Sequence, residues 1–160
     1  MATTTYNAGR SESNFLRSVQ WGKAVQAGLI VGAVLFLLSR GIPWIGSGAI
    51  DPAIMGREVV PGEQASSALF LGVMVVHLAV AVVYALIIAS IVNGFRPTIA
   101  GMVGGIIGVI LYFLSYAVFG FFTEPAATQR EWTPLLLHLA FGIITAEAYK
   151  GLARRPAPLL

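Results

Sequence analysis

From Ser66 to Val92 the sequence contains no Asp, Glu, Lys or Arg, and the same holds from Pro97 to Phe122. A bilayer's hydrocarbon core is about 30 Å thick, so roughly 20 apolar residues wound into an α-helix cross it. Both runs exceed that length. A soluble helical bundle needs a polar stripe along each helix, and neither run supplies one. Two more apolar runs flank them, one edged by Lys23 and Arg40, the other opening at Thr133-Pro134. The sequence therefore predicts an all-α, polytopic membrane protein with four transmembrane helices at about residues 20–40, 66–92, 97–122 and 133–150.

Composition agrees with this reading. Hydrophobic residues make up 57% of the chain and charged residues 11%, where soluble domains carry about 25% charge. The net charge is +3, yet the cations gather in tails and loops instead of forming a stripe, so no nucleic-acid partner is expected. The chain has no cysteine, which excludes a disulfide framework, a thiolate metal site and a cysteine nucleophile.

The chain divides into a polar tail (1–20), a transmembrane domain (21–152) and a short tail (153–160). The longest connection, the loop at 41–65, holds Asp51-Pro52, a start signal for a short interfacial helix whose Ile50, Ile54 and Met55 face the bilayer. Trp21, Trp44 and Trp132 mark the interfaces. Arg10, Arg17, Lys23, Arg96, Lys150, Arg154 and Arg155 fall on one side of the membrane, and Arg40, Arg57 and Arg130 on the other. The positive-inside rule then places both chain ends in the cytoplasm. A bacterial inner membrane is the expected location.

Residues 28–39 read GLIVGAVLFLLS and residues 104–115 read GGIIGVILYFLS. The tripeptide His77-Leu78-Ala79 recurs as His138-Leu139-Ala140. Read as an internal repeat, the chain is a duplicated helical hairpin, its halves related by a pseudo-twofold axis along the membrane normal. Convergence on apolar residues is the simpler alternative. Small-xxx-small pairs line helices one and three: Gly28 with Gly32, Gly101 with Gly105, and Gly104 with Gly108. Such pairs let backbones approach, either within the bundle or as a face for another subunit or copy.

His77 and His138, the only histidines, carry the one constellation with chemical potential. An ionisable group at membrane depth faces the bundle and has a partner; Tyr84 and Gln26 are candidates for His77. The plain reading is a neutral imidazole bonding across helices. The sharper one is haem b held between helices two and four by both rings; otherwise no cofactor is expected. A metal site is not expected, because no third ligand is evident. Glu147 and Lys150 have the i,i+3 spacing of an ion pair. No nucleophile–base pair or phosphate loop is present, so the chain is not expected to be an enzyme.

Trp21-Gly22, Pro43-Trp44, Ile54-Met55-Gly56, Val76-His77-Leu78 with Tyr84, Leu111-Tyr112, Glu131-Trp132, His138-Leu-Ala-Phe-Gly142 and Ala148-Tyr149-Lys150 occur in that order. This succession resembles a family of small bacterial four-helix integral membrane proteins, many of which carry the label sodium:proline symporter and lack a characterised activity. The resemblance covers about residues 21–152 and implies the four-helix fold. The family pattern closes helix three on Asn-Phe-Tyr-Gly-Phe, where this chain has Ser115-Tyr-Ala-Val-Phe-Gly120, so no role of that asparagine carries over. Sodium symporters of the broken-helix type need interrupted helices, which this sequence lacks.

The function expected from these features is non-catalytic. The chain reads as an accessory or stabilising subunit of a larger bacterial inner-membrane complex, respiratory or photosynthetic in type, with the lipid bilayer and membrane-protein subunits, or further copies of itself, as partners. The alternatives are a small homo-oligomeric transporter or channel, and a b-type cytochrome ligated by His77 and His138.

Overall fold

The computed structural model describes residues 18–41, 67–120 and 132–154. The expected 41–65 loop helix, Trp44, the Phe121-Phe122 pair and most of both tails (1–17 and 155–160) lie outside those residues. The described chain forms four helices: α1 (Trp21–Gly41), α2 (Ser67–Val92), α3 (Pro97–Gly120) and α4 (Trp132–Ala153). All four are long and apolar enough to cross a membrane. The fold is an all-α, four-helix membrane bundle.

Local chemistry sets the helix ends. Gln20 accepts from the Lys23 and Ala24 amides at 2.9 and 3.1 Å, capping the start of α1. Asn93-Gly94 ends α2, and the Phe95 amide donates back to the Val92 carbonyl at 3.0 Å. Pro97 opens α3, where its missing N–H would have had no helical partner. In α4 the helix begins one residue earlier than the Thr133-Pro134 signal predicts, at Trp132. Pro134 still falls in the first turn, where amides lack intrahelical acceptors, so the earlier start loses no hydrogen bond. The same helix runs past the predicted stop at Lys150-Gly151 to Ala153; its last turn is tied to the start of α1 through Gln20 Nε2, which donates to the Ala153 carbonyl at 3.2 Å.

Packing departs from the rule for soluble proteins in how many large apolar side chains face outward. The interior mixes alanines (Ala24, Ala27, Ala81, Ala85, Ala89, Ala100 and Ala146) with a few large side chains, Phe36, Ile88 and Tyr149 among them. Large side chains such as Ile30, Leu37, Val75, Met102 and Ile106 point outward. In lipid no hydrophobic force drives helices together, so close backbone approach and van der Waals contact must do so. Helix α1 packs chiefly on α2, and α3 on α4; α4 also touches α1 and α2, whereas α2 and α3 meet only slightly.

Candidate functional site

The two histidines sit where each hairpin is tightest. In the first hairpin a Cβ added at Gly28 would lie 2.7 Å from Ala85 Cβ, and one at Gly32 would lie 2.7 Å from Ala81 Cβ. One turn further along, the Phe36 and His77 rings pack with centroids 5.1 Å apart. In the second hairpin a Cβ at Gly104 would lie 2.6 Å from Ala146 Cβ, and Gly108 faces the His138 carbonyl and Gly142. Tyr112 then meets His138 edge-on at 5.6 Å. Each contact of the first hairpin thus recurs in the second between residues at matching offsets: Gly28·Ala85 with Gly104·Ala146, Gly32·Ala81 with Gly108·Gly142, and Phe36·His77 with Tyr112·His138.

The rings differ in their hydrogen bonds. His77 Nε2 pairs with the Gly32 carbonyl of α1 at 3.3 Å. His138 Nδ1 pairs with the Pro134 carbonyl of its own helix at 2.8 Å. A carbonyl oxygen only accepts, so each of these nitrogens carries an N–H, and a neutral ring then has its lone pair on the other nitrogen. In the neutral form that lone pair is on Nδ1 of His77 and on Nε2 of His138, the atoms that would bind a metal or accept a proton. Among the described residues no group of three or more His, Asp or Glu side chains gathers as a metal site.

Neither partner foreseen for His77 bonds to it in the structure. Tyr84 Oη lies 2.7 Å from Ser115 Oγ on α3, and Ser115 donates to the Leu111 carbonyl at 2.7 Å. Tyr84 is therefore the hydroxyl left to donate to Ser115. This bond is a polar tie across the slight α2–α3 seam. Gln26 is exposed.

The expected Glu147–Lys150 pair does not form. Lys150 Nζ donates to the Asn93 carbonyl at 2.7 Å and approaches the Val92 carbonyl at 3.5 Å. Carbonyls at a helix C-terminus carry the negative end of its dipole and lack intrahelical donors, so the ammonium caps α2. Beside it Tyr149, 1% exposed, donates to Asn93 Oδ1 at 2.7 Å and receives the Gln20 amide at 3.3 Å. Asn93 Nδ2 completes the cluster by donating to Ser18 Oγ at 2.8 Å. Sequence reasoning took Asn93 only as a helix stop and missed this knot. The one available signal was a buried-type residue, Tyr149, directly preceding a lysine at a helix end.

All six glycines singled out in the sequence face a neighbouring helix: Gly28 and Gly32 face α2, and Gly101, Gly104, Gly105 and Gly108 face α4. Thr145 is fully buried on α4, and its Oγ1 has no hydrogen-bond partner among the described residues. Glu147 is exposed. Its carboxylate lies over Gly101 and borders a groove of about 380 Å³ lined by Pro97, Thr98, Gly101, Met102, Ile143 and Glu147. No protein-family model, curated protein or solved structure matches the chain.

Proposed function

We propose that the chain is a non-catalytic, contact-making subunit of a larger bacterial inner-membrane assembly, respiratory or photosynthetic in type. Both chain ends face the cytoplasm in this reading, and the two hairpins derive from a duplication. One observation carries it: the described polar groups at the bundle's centre and inner end are engaged mainly in holding helices together. His77, Tyr84, Tyr149 and Lys150 each bond to another element. What the bundle offers outward is apolar side chains at full helix length, the surface that a membrane partner or lipid contacts. The matched contacts of the two hairpins support the duplication, and the resemblance to small bacterial four-helix membrane proteins supports the location.

The test is a purification of tagged protein at native expression level in mild detergent, with sizing on native gels and identification of co-purifying chains. A partner retained in fixed stoichiometry is the expected result. A species containing only this chain sinks the subunit reading.

A second reading rests on the lone pairs left on His77 Nδ1 and His138 Nε2, at matching positions of the two hairpins. It makes the pair a ligand set for haem b, or a proton-accepting path in a small homo-oligomeric channel or transporter. Haem ligation predicts a Soret band in the purified protein that disappears in His77→Ala and in His138→Ala. A flux role predicts that the double variant, reconstituted in vesicles, stops transport while keeping its helicity. A colourless protein from haem-replete cells removes the first, and flux unchanged in the double variant removes the second.

A further inference from the structure

Glu147 is the one carboxylate among the described residues, and it stands inside a membrane-spanning helix. It lies six residues before Ala153, the last residue of α4, about 9 Å from the helix end at 1.5 Å per residue. A Cβ added at Gly101 would lie 2.6 Å from its Oε1. Gly101 is four residues past Pro97, the start of α3, about 6 Å in. By either helix the group is more than one turn inside the bundle's end. Side chains on a helix lean toward its N-terminus, and α4 begins on the far side of the membrane. The carboxylate therefore leaves its backbone toward the membrane interior, away from the nearer water. It is exposed, and no described side chain pairs with it: Lys150, three residues on, is committed to the end of α2. Its surroundings are apolar. Ile143 on α4 and Met102 on α3 flank it, and Leu136 and Ile106 continue the exposed strip along the same two helix faces. The strip is open along its length, which suits a helix laid across it and gives a small molecule no enclosure.

A charged group turned toward acyl chains is costly, and such groups are met by an opposite charge. We infer that the α3–α4 face docks a transmembrane helix of a partner subunit, through a Lys or Arg of that helix that meets Glu147. The inference rests on the subunit reading above and names the face and the contact chemistry that reading leaves open. Glu147 itself selects the occupant. An ammonium or guanidinium donates N–H bonds to the carboxylate, and these are stronger than neutral hydrogen bonds. Apolar residues of the same helix cover Met102, Ile106 and Ile143 by van der Waals contact. Among the described residues, a second copy of this chain offers no matching cation at that depth. Lys23, Arg96 and Arg154 stand within two residues of a helix end, and Lys150 is already committed.

The experiment uses designed helices as the probe. The full-length chain, carrying a donor fluorophore on Phe95→Cys, is reconstituted in phosphatidylcholine vesicles with acceptor-labelled, leucine-rich transmembrane peptides. The peptides are identical except for one residue, Lys, Gln or Glu, placed about two turns from the end. Energy transfer is expected at a roughly fivefold to thirtyfold lower mole fraction of the Lys peptide than of the Gln peptide, the scale of polar contacts between membrane helices. Glu147→Gln is expected to erase that preference. Glu147→Lys is expected to hand it to the Glu peptide, which a misfolded variant cannot do. Equal transfer to the Lys and Gln peptides, or a Lys preference that survives Glu147→Gln, overturns the inference. So does transfer between donor- and acceptor-labelled copies of the chain that Glu147→Gln removes, which assigns the face to a second copy. If the tagged purification retains a partner while the peptides are not distinguished, this face is wrong and the subunit reading stands. A chain that purifies alone removes the subunit reading and this inference with it.

Discussion

Glycine substitutions separate close backbone contact from simple crowding. At Gly108 an added methyl meets the His138 backbone and Gly142, so α3 and α4 would have to part. At Gly101 it meets the far end of the exposed Glu147 side chain, which rotates away. Gly108→Ala is expected to destabilise by about 1–3 kcal/mol, as overpacking does, and Gly101→Ala by less than about 0.5 kcal/mol. Thermal unfolding in detergent checks both, and equal losses would refute the assigned helix faces. A second residue-scale contrast concerns buried hydroxyls. Thr145→Val removes an Oγ1 that has no partner among the described residues, so it is expected to leave stability unchanged or raise it by up to about 1 kcal/mol. Tyr149→Phe strands Asn93 Oδ1 and the Gln20 amide and is expected to cost about 1–3 kcal/mol. A destabilised Thr145→Val would mean that the hydroxyl bonds to something in the membrane.

At the scale of elements, α2 and α3 meet only slightly among the described residues, and the Tyr84–Ser115 bond crosses that seam. A double-mutant cycle of Tyr84→Phe and Ser115→Ala is expected to give a coupling of about 0.5–1.5 kcal/mol. A coupling near zero would show that the seam is closed by apolar contact alone. This bond also marks what sequence can and cannot reveal. The helices and their ends were readable because charge-free runs stop at Asn93-Gly94, restart at Pro97 and require lipid whatever their rotation. Glycine lines were readable as packing faces because only small residues permit such approach. The partners of Tyr84, His77 and Lys150 were not. A helix that is apolar all round carries no periodicity to fix its rotation, and one residue's error turns a side chain by about 100°. The Glu147–Lys150 expectation failed for the same reason: i,i+3 spacing fixes a shared face, but the unfilled carbonyls at the end of α2 lie on another helix.

For the whole molecule, the number of crossings sets which chain ends and turns share a side, and the proposed orientation rests on the distribution of cations. Four spanning helices place the start of α1, the α2–α3 turn and the end of α4 on one side, with the start of α4 on the other. The proposed orientation puts the first set in the cytoplasm, on the cation excess near Lys23, Arg96, Lys150 and Arg154. Because the chain has no cysteine, single-cysteine variants report position against a silent background. Phe95 and Trp132 are exposed, and Gly151 has open space around it, so Phe95→Cys, Trp132→Cys and Gly151→Cys should fold. In intact bacterial cells a membrane-impermeant maleimide is expected to label Trp132→Cys alone, and to label the other two only once the membrane is opened. The reverse pattern would keep the four crossings but place both ends outside, against the charge argument. Labelling of Phe95→Cys and Gly151→Cys from opposite sides would break the fold itself, since the Lys150–Asn93 bond requires the end of α4 and the α2–α3 turn to lie together.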